Sequence, residues 1–194
     1  MPTEHVLENL PSLETERLVL RKLTPSDVEA IYAYGSDPAV SEFVTWPTHQ
    51  KIEDTQQFLD IILSLYEGNQ AVFWGIELKE EKRLIGTINY VSWQQNHHVG
   101  EIGYVLAQPY WRKGYMTEVA KQVIQFGFER MKLERVQAKC DVQNSGSEKV
   151  MQKAGMSFEG TLRKLLYIKG VQRDVKMYAI TKSDFLHTKK TGCS

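Results

Sequence analysis

The chain reads as one mixed α/β domain, a central twisted and mainly antiparallel sheet flanked by helices. Three observations predict it. Apolar residues alternate at period two over Arg135 to Asp141, so that Val136, Ala138 and Cys140 face one side. They recur at helical spacing over Ile52 to Glu67 and over Thr117 to Met131. The segments follow in the order β-α-α-β-β-β-α-β-α-β-β, which suits helices packed on a single mixed sheet.

Each element has its own warrant. Residues 1–12 are polar, with Pro2 and Pro11, and read as a flexible arm ahead of a domain over 13–186. Leu18 to Leu23 is a partly alternating first strand. Thr24-Pro25-Ser26-Asp27 is a helix start: Thr24 can cap, Pro25 suits the first helical position, and Asp27 sits at the capping-box offset. That helix buries Val28, Ile31 and Tyr32 and stops near Gly35. Residues 37–50 are irregular, with Pro38, Trp46 and Pro47. The helix over Ile52 to Glu67 is apolar at Leu59, Ile62, Leu63 and Tyr66, and Gly68-Asn69 ends it.

Strands follow over Ala71 to Leu78 and Leu84 to Trp93, joined by the charged turn Lys79-Glu80-Glu81-Lys82. Gln95 to His98 turns the chain into a strand over Val99 to Leu106. The helix over Thr117 to Met131 comes next, and a short helix over Ser145 to Ala154 ends at Gly155, a left-handed cap. Thr161 to Ile168 and Gln172 to Thr181 form a hairpin about Lys169-Gly170. Residues 187–194 read as a frayed tail.

Composition narrows the function classes. A length of 194 residues suits one core. Basic and acidic residues balance at 24 each, which gives no global field for nucleic acid, and no nucleic-acid partner is expected. Two cysteines, Cys140 and Cys193, make no disulfide framework. No signal-like leader and no membrane-length apolar run is visible, so a cytoplasmic setting without membrane contact is expected. His97 and His98 stand without a second ligand cluster, and no metal site is expected.

The most informative stretch joins the strand ending at Leu106 to the helix at Thr117: Pro109-Tyr110-Trp111-Arg112-Lys113-Gly114-Tyr115-Met116-Thr117-Glu118. Unpaired N–H groups at a helix start, together with the helix dipole, favour an anion. Gly114 lets the backbone approach a bulky group, and Arg112 and Lys113 add cations. The segment reads as a seat for phosphate or pyrophosphate. Neither G-x-x-x-x-G-K-[ST] nor G-x-G-x-x-G is present, which argues against a P-loop or dinucleotide fold.

Trp111 to Met116 resembles the acyl-CoA loop of the GNAT N-acetyltransferase superfamily, [QR]-x-x-G-x-[GA] before a helix. Trp111 and Met116 depart from that pattern. Both departures, with Thr117-Glu118, are similar to the branch holding the bacterial ribosomal-protein N-terminal (alanine/serine) acetyltransferases. Asn144 to Gly160 is similar to that branch's N-x-x-S…K-x-G-[FM]…E-G segment, and Glu16 to Arg21 to its first strand. The three matches span residues 13–185. The resemblance implies acetyl-CoA as cosubstrate, no metal, and a primary amine acceptor: a protein N-terminus or a small molecule. It permits a monomer or a homodimer.

Acyl transfer from a thioester to an amine has three needs. Alkyl amines are mostly ammonium at neutral pH (Lys-type pKa ~10.4), so a proton must leave. Glu101 is the candidate base, with Gly103 leaving room on its side of the strand; the other reading is an ion pair with a neighbouring cation. The oxyanion needs donors. The resemblance places these where the strand splays from the next, at Val105 and Leu106; the alternative is an ordinary strand end. The thiolate needs a donor. Many family members carry a Tyr seven residues after the position of Asn144, where this chain has Met151. The branch instead offers Ser147, which is equally a good helix-start residue. Where some members place a further acid on the final hairpin, this chain has Leu166.

The remaining site residues follow from the same reading. Arg112, Lys113, Gly114, Tyr115, Met116 and Thr117 would hold the cofactor. Asn144 would bond the pantetheine arm, or else close a turn. Trp46 and Tyr167 are candidate walls of the acceptor pocket. Two rival functions stay open: transfer to a polyamine or antibiotic, and a non-catalytic acyl-CoA sensor.

Overall fold

Strand alternation divides the apolar side chains between two faces of one sheet, and helices cover both. The computed structural model describes residues 4–191. Eight strands lie in the order β1-β2-β3-β4-β5-β6-β8-β7. They are β1 (Leu13–Glu14), β2 (Leu18–Arg21), β3 (Phe73–Leu78), β4 (Arg83–Gln94), β5 (Val99–Leu106), β6 (Arg135–Asp141), β7 (Ser157–Ile168) and β8 (Val171–Thr181). Every neighbouring pair is antiparallel except β5 and β6. A parallel pair needs a crossover, and α5 (Tyr115–Glu129) supplies it.

On one face α5 and α6 (Ser145–Lys153) pack over Trp74, Ile76, Ile88 and Val136. Val119, Ala120, Val123 and Ile124 give α5 its apolar stripe. On the other face α2 (Val28–Gly35) and α4 (Ile52–Glu67) pack on Leu23, Phe73 and Leu84 through Ile31, Tyr34, Leu59 and Ile62. Phe73 and Trp74 are adjacent yet fall into different cores, as period two requires.

Besides the two-residue strand β1, ahead of the strand expected first, four elements depart from the sequence expectation. The arm expected over 1–12, of which 1–3 lie outside the described residues, contains helix α1 (Glu4–Glu8), with Val6 and Leu10 buried in the core. The buried indole of Trp74 donates to Pro11 O at 2.8 Å and ties this arm to β3. A short helix α3 (Pro38–Ser41) breaks the expected irregular run; Asp37 caps it by accepting from Ala39 N–H at 2.9 Å. Helix α7 (Lys182–Thr191) occupies most of the expected tail, and residues 192–194 lie outside the described ones. The strand expected from Thr161 begins at Ser157 and is interrupted between Leu162 and Leu166. The hairpin turns at Lys169-Gly170, both left-handed, as a two-residue turn requires.

Two contacts generate tests of the fold. The Tyr90 hydroxyl crosses to α5 and donates to Val123 O at 3.0 Å, and a Cβ on Gly127 would overlap that hydroxyl. Gly127→Ala is expected to cost roughly 1–3 kcal/mol by overpacking and to lower Tm by several degrees in thermal denaturation.

Arg21 bonds Asp27 through both terminal nitrogens, at 2.9 and 2.8 Å, and so anchors the start of α2 to β2. Burial alone would push the Asp27 carboxyl up, but hydrogen bonds from Arg21 and Thr24 outweigh it and hold the carboxyl below its usual value. With the folded value below the unfolded one, Asp27 stabilises the fold above about pH 4 and loses that contribution as pH falls further. Asp27→Asn is expected to lower Tm at neutral pH and to approach wild type in acid.

Candidate active site

The site begins where β5 and β6 part. They pair only at Val99 with Arg135, Gly100 with Val136 and Glu101 with Gln137. Beyond Glu101, β5 continues to Leu106 with β4 alone beside it. Ala107 N–H donates to Ile85 O at 2.8 Å. Alternation therefore turns the Val105 N–H toward β4 as well, and turns the N–H groups of Tyr104 and Leu106 into the gap. Of the two expected oxyanion donors, Leu106 faces the opening and Val105 does not. The Trp111 indole donates to Leu106 O at 2.7 Å and fixes this strand end against the following loop.

That loop has the geometry of an anion seat. Arg112 and Gly114 are both left-handed, with φ of 62° and 82°. Alternating left-handed residues bend the backbone so that successive N–H groups converge. Helix α5 starts at Tyr115, and Gly114, its N-cap, supplies no side-chain cap. The first-turn N–H groups of Tyr115, Met116 and Thr117 are thus available to a ligand. Arg112 and Lys113 are exposed beside them. Met116 presents only its backbone, because its side chain is buried in the core.

Arg17 holds this loop from β2's side, a role its sequence gave no sign of. Its backbone N–H and Nε donate to Glu118 at 2.9 and 2.8 Å, and Nη1 donates to Lys113 O at 3.1 Å. Its guanidinium lies 4.4 Å from the Tyr115 ring centroid. Burial would raise the Glu118 carboxyl, yet hydrogen bonds from Thr15 and Arg17 keep it below its ordinary value.

Across the gap stands the start of α6. Asn144 is its N-cap and accepts from Ser147 N–H at 3.0 Å, so its carbonyl oxygen closes the helix start. The Ser147 hydroxyl lies 2.8 Å from the Tyr104 hydroxyl, which also donates to Ser147 O at 3.2 Å. Burial raises the Tyr104 phenol and keeps it protonated. Tyr104 is a site residue that strand alternation alone could not single out. Met151 is buried in the core, so no acid stands there.

Glu101 adopts the ion-pair reading. Lys139 Nζ lies 2.8 Å from its Oε1, and Gln137 Nε2 donates to its Oε2 at 3.0 Å. The room expected at Gly103 is filled: a Cβ there would lie 2.7 Å from Val91 Cγ1. Val91 sits at a register shift in β4, which puts its side chain over the glycine.

A cavity of about 30 Å³ adjoins the parted strand on the α2/α4 face. Val105 and Thr87 form its sheet wall, Ile31, Tyr34 and Gly35 its α2 wall, and Trp46, His49 and Phe58 the rest. Trp46, an expected acceptor-pocket residue, thus lines this cavity. Tyr167 is not on the cavity wall; it lies on β7, 65% exposed, because that strand is the sheet's edge.

A parallel strand pair that opens beside a helix start with unpaired N–H groups fits an acyl-donor transferase of the N-acetyltransferase class. Residues 17–157 match the model of the acetyltransferase (GNAT) domain, and the chain belongs to that family. It is 36% identical over 172 residues to YoaA of Bacillus subtilis, an uncharacterised N-acetyltransferase, covering 89% of this chain and 97% of that one. A GNAT-family acetyltransferase structure from Bacillus anthracis superposes with a TM-score of 0.79 at 32% identity, over 89% of this chain and 99% of the other. The ribosomal-protein-S5-alanine acetyltransferase of Vibrio fischeri gives a TM-score of 0.77 at 27% identity, over 90% and 98%.

Among the described residues no helix is long and apolar enough to cross a membrane. Gly114→Ala forces a side chain into the left-handed region at a cost of roughly 1 kcal/mol, and the loop must shift to relieve it. Weaker acetyl-CoA binding, by about tenfold, is expected in calorimetry, with Tm little changed.

Proposed function

We propose that the protein moves the acetyl group of acetyl-CoA to the N-terminal amine of a protein or peptide. The observation that carries this reading is the gap between β5 and β6, bounded by the Leu106 N–H and the Trp111–Thr117 anion seat. The pyrophosphate lies on that seat, and the pantetheine arm reaches up the gap in place of a missing strand partner. Leu106 N–H donates to the developing oxyanion. Ser147, backed by the Tyr104 hydroxyl, donates to the departing thiolate. Asn144 holds the α6 start that presents Ser147, and its amide nitrogen is the part that can reach the arm.

The acceptor class rests on the cavity. Its walls are aromatic, aliphatic and hydroxyl-bearing, with no carboxylate. A polyamine or an aminoglycoside brings further ammonium groups, which need counter-ions once they leave water. A peptide terminus brings a single cation. The kinship with a ribosomal-protein-alanine acetyltransferase points the same way.

Thiol release from acetyl-CoA, followed against pools of N-terminal peptides, spermidine and an aminoglycoside, tests the reading. Release with the peptide pool is expected. Release with spermidine alone would overturn the acceptor, and acetyl-CoA binding without release from any pool would favour a sensor. Ser147→Ala is expected to lower kcat by roughly tenfold to a hundredfold, while acetyl-CoA binding measured by calorimetry persists.

A further inference from the structure

We propose that His49 is the general base that takes the proton of the acceptor amine, with Thr55 orienting its ring and the Tyr34 hydroxyl receiving the amine beside it. The proposal rests on the acetyl-transfer reading above and adds a catalytic group to it. Glu101, the acid on the parted strand, is already held by Lys139 and Gln137. The cavity holds a group with no such claim on it.

The seat of His49 is built from several elements. Its backbone N–H donates to Gly35 O at 3.0 Å. Its Nδ1 lies 2.7 Å from the hydroxyl of Thr55, a residue with no exposed surface on the first turn of α4. A Cβ on Gly35 would lie 2.7 Å from that same nitrogen, so the ring needs a glycine beneath it. The Trp46 and Phe58 rings flank it at 5.3 and 6.3 Å between centroids. In the tautomer whose Nδ1–H donates to the Thr55 hydroxyl, Nε2 keeps its lone pair for a substrate, and that tautomer is the one proposed. A base held by a third group follows the orienting logic of hydrolytic triads.

A second, independent observation points to a ligand. The Tyr34 hydroxyl, on a residue only 4% exposed, lines the same cavity and makes no well-formed hydrogen bond among the described residues, with the Thr87 side chain its nearest polar neighbour. A buried polar atom left unpaired costs free energy, and a donor in the cavity would satisfy it. An ammonium group fits about 30 Å³ and brings three donors. His49 and Tyr34 both line that cavity, one to take a proton and the other to accept a hydrogen bond. Val105 puts the parted strand on the cavity wall, so an amine seated there borders the thioester's gap.

The ring is available at neutral pH. Burial holds the His49 imidazole below its usual value, and the Asp54 carboxylate raises it only in part. Asp54 itself accepts from the Gln50 and Lys51 N–H groups, and Lys51 offsets its charge. The groups facing the ring from α2, β4 and β5 are Tyr34, Thr87 and Val105, none of them charged at neutral pH.

The step balances without another reagent. Nε2 takes one proton from the ammonium, and the nitrogen lone pair attacks the thioester carbonyl carbon. The C–N bond forms and the C–S bond breaks. The amide nitrogen's surplus proton neutralises the thiolate by way of the Ser147 hydroxyl, and the imidazolium returns its proton to solvent.

The test is the pH profile of kcat/KM with a peptide acceptor. Wild type is expected to lose rate in acid with a bend below the ordinary His value. His49→Gln is expected to lose about a hundredfold near neutral pH and to lack the bend, with acetyl-CoA binding unchanged by calorimetry. Thr55→Val is expected to lower kcat at unchanged acetyl-CoA KM, and Thr55→Ser to restore it.

A bend that persists in His49→Gln and vanishes in Glu101→Gln would overturn the proposal. So would wild-type kcat/KM in both His49→Gln and Thr55→Val. A second arm needs no turnover: NMR titration of the His49 ring in the full chain, with and without glycinamide. A shift of the His49 resonance and its titration supports the seat even where no pool is acetylated, which separates failure of the transfer reading from failure here. No response to glycinamide overturns the seat.

Discussion

The site depends on a pairing that stops early. β5 and β6 run parallel, and they hydrogen-bond over three residue pairs before they separate. A parallel neighbour obliges the chain to cross over, and the crossover places the start of α5 beside the open edge of β5. One topological fact thus yields two adjacent resources. The strand edge offers unpaired backbone groups to an amide-rich arm, and the helix start offers unpaired N–H groups to a phosphate. Everything else stiffens that arrangement. The Trp111 indole holds Leu106 O, Arg17 fastens the loop through Glu118 and Lys113 O, and Tyr104 reaches across to Ser147.

The two faces of the sheet divide the chemistry. The α5/α6 side carries the unpaired N–H groups of the α5 start, which would suit a ligand with an anionic end. The other side is built from α2, α4 and the loop between them, packed on β3 and β4. Of its groups Tyr34, Thr55 and Thr87 are buried, while Trp46, His49 and Phe58 are half-buried. Glu101 shares the α2/α4 face with Val105 but is bonded to β6 through Lys139 and Gln137, where it bridges the last paired rungs before the gap. A carboxylate so placed stabilises the point at which the strands part.

The hairpin of β7 and β8 returns to the acceptor side by another route. Lys169, at its tip, donates to Ser41 O at 2.6 Å and so pins the hairpin to α3. Ser41 lies 2.5 Å, hydroxyl to hydroxyl, from Thr48, the residue before His49. The irregular stretch between α2 and α4 is therefore held at both ends and in the middle. A segment without regular structure can present a ring in a fixed orientation only when it is anchored in this way.

The sequence by itself determined the regular elements and the donor loop. Periodicity fixes a strand or helix because burial must fall on one face, so Val99 to Leu106 and Arg135 to Asp141 were legible to the residue. Gly114 before a helical pattern marked the left-handed N-cap of α5 for the same local reason. The arm at Glu4–Glu8 and the caps of α3 were not legible, since their order comes from contacts such as Trp74 with Pro11 O. Only the tertiary structure decided which side chains meet. It joined Glu101 to Lys139, turned Leu106 rather than Val105 into the gap, and set His49 against Thr55 and Gly35. Local pattern reports how a residue faces its own element. A hydrogen bond between elements depends on how the sheet and its covering helices pack, and no window of sequence contains that.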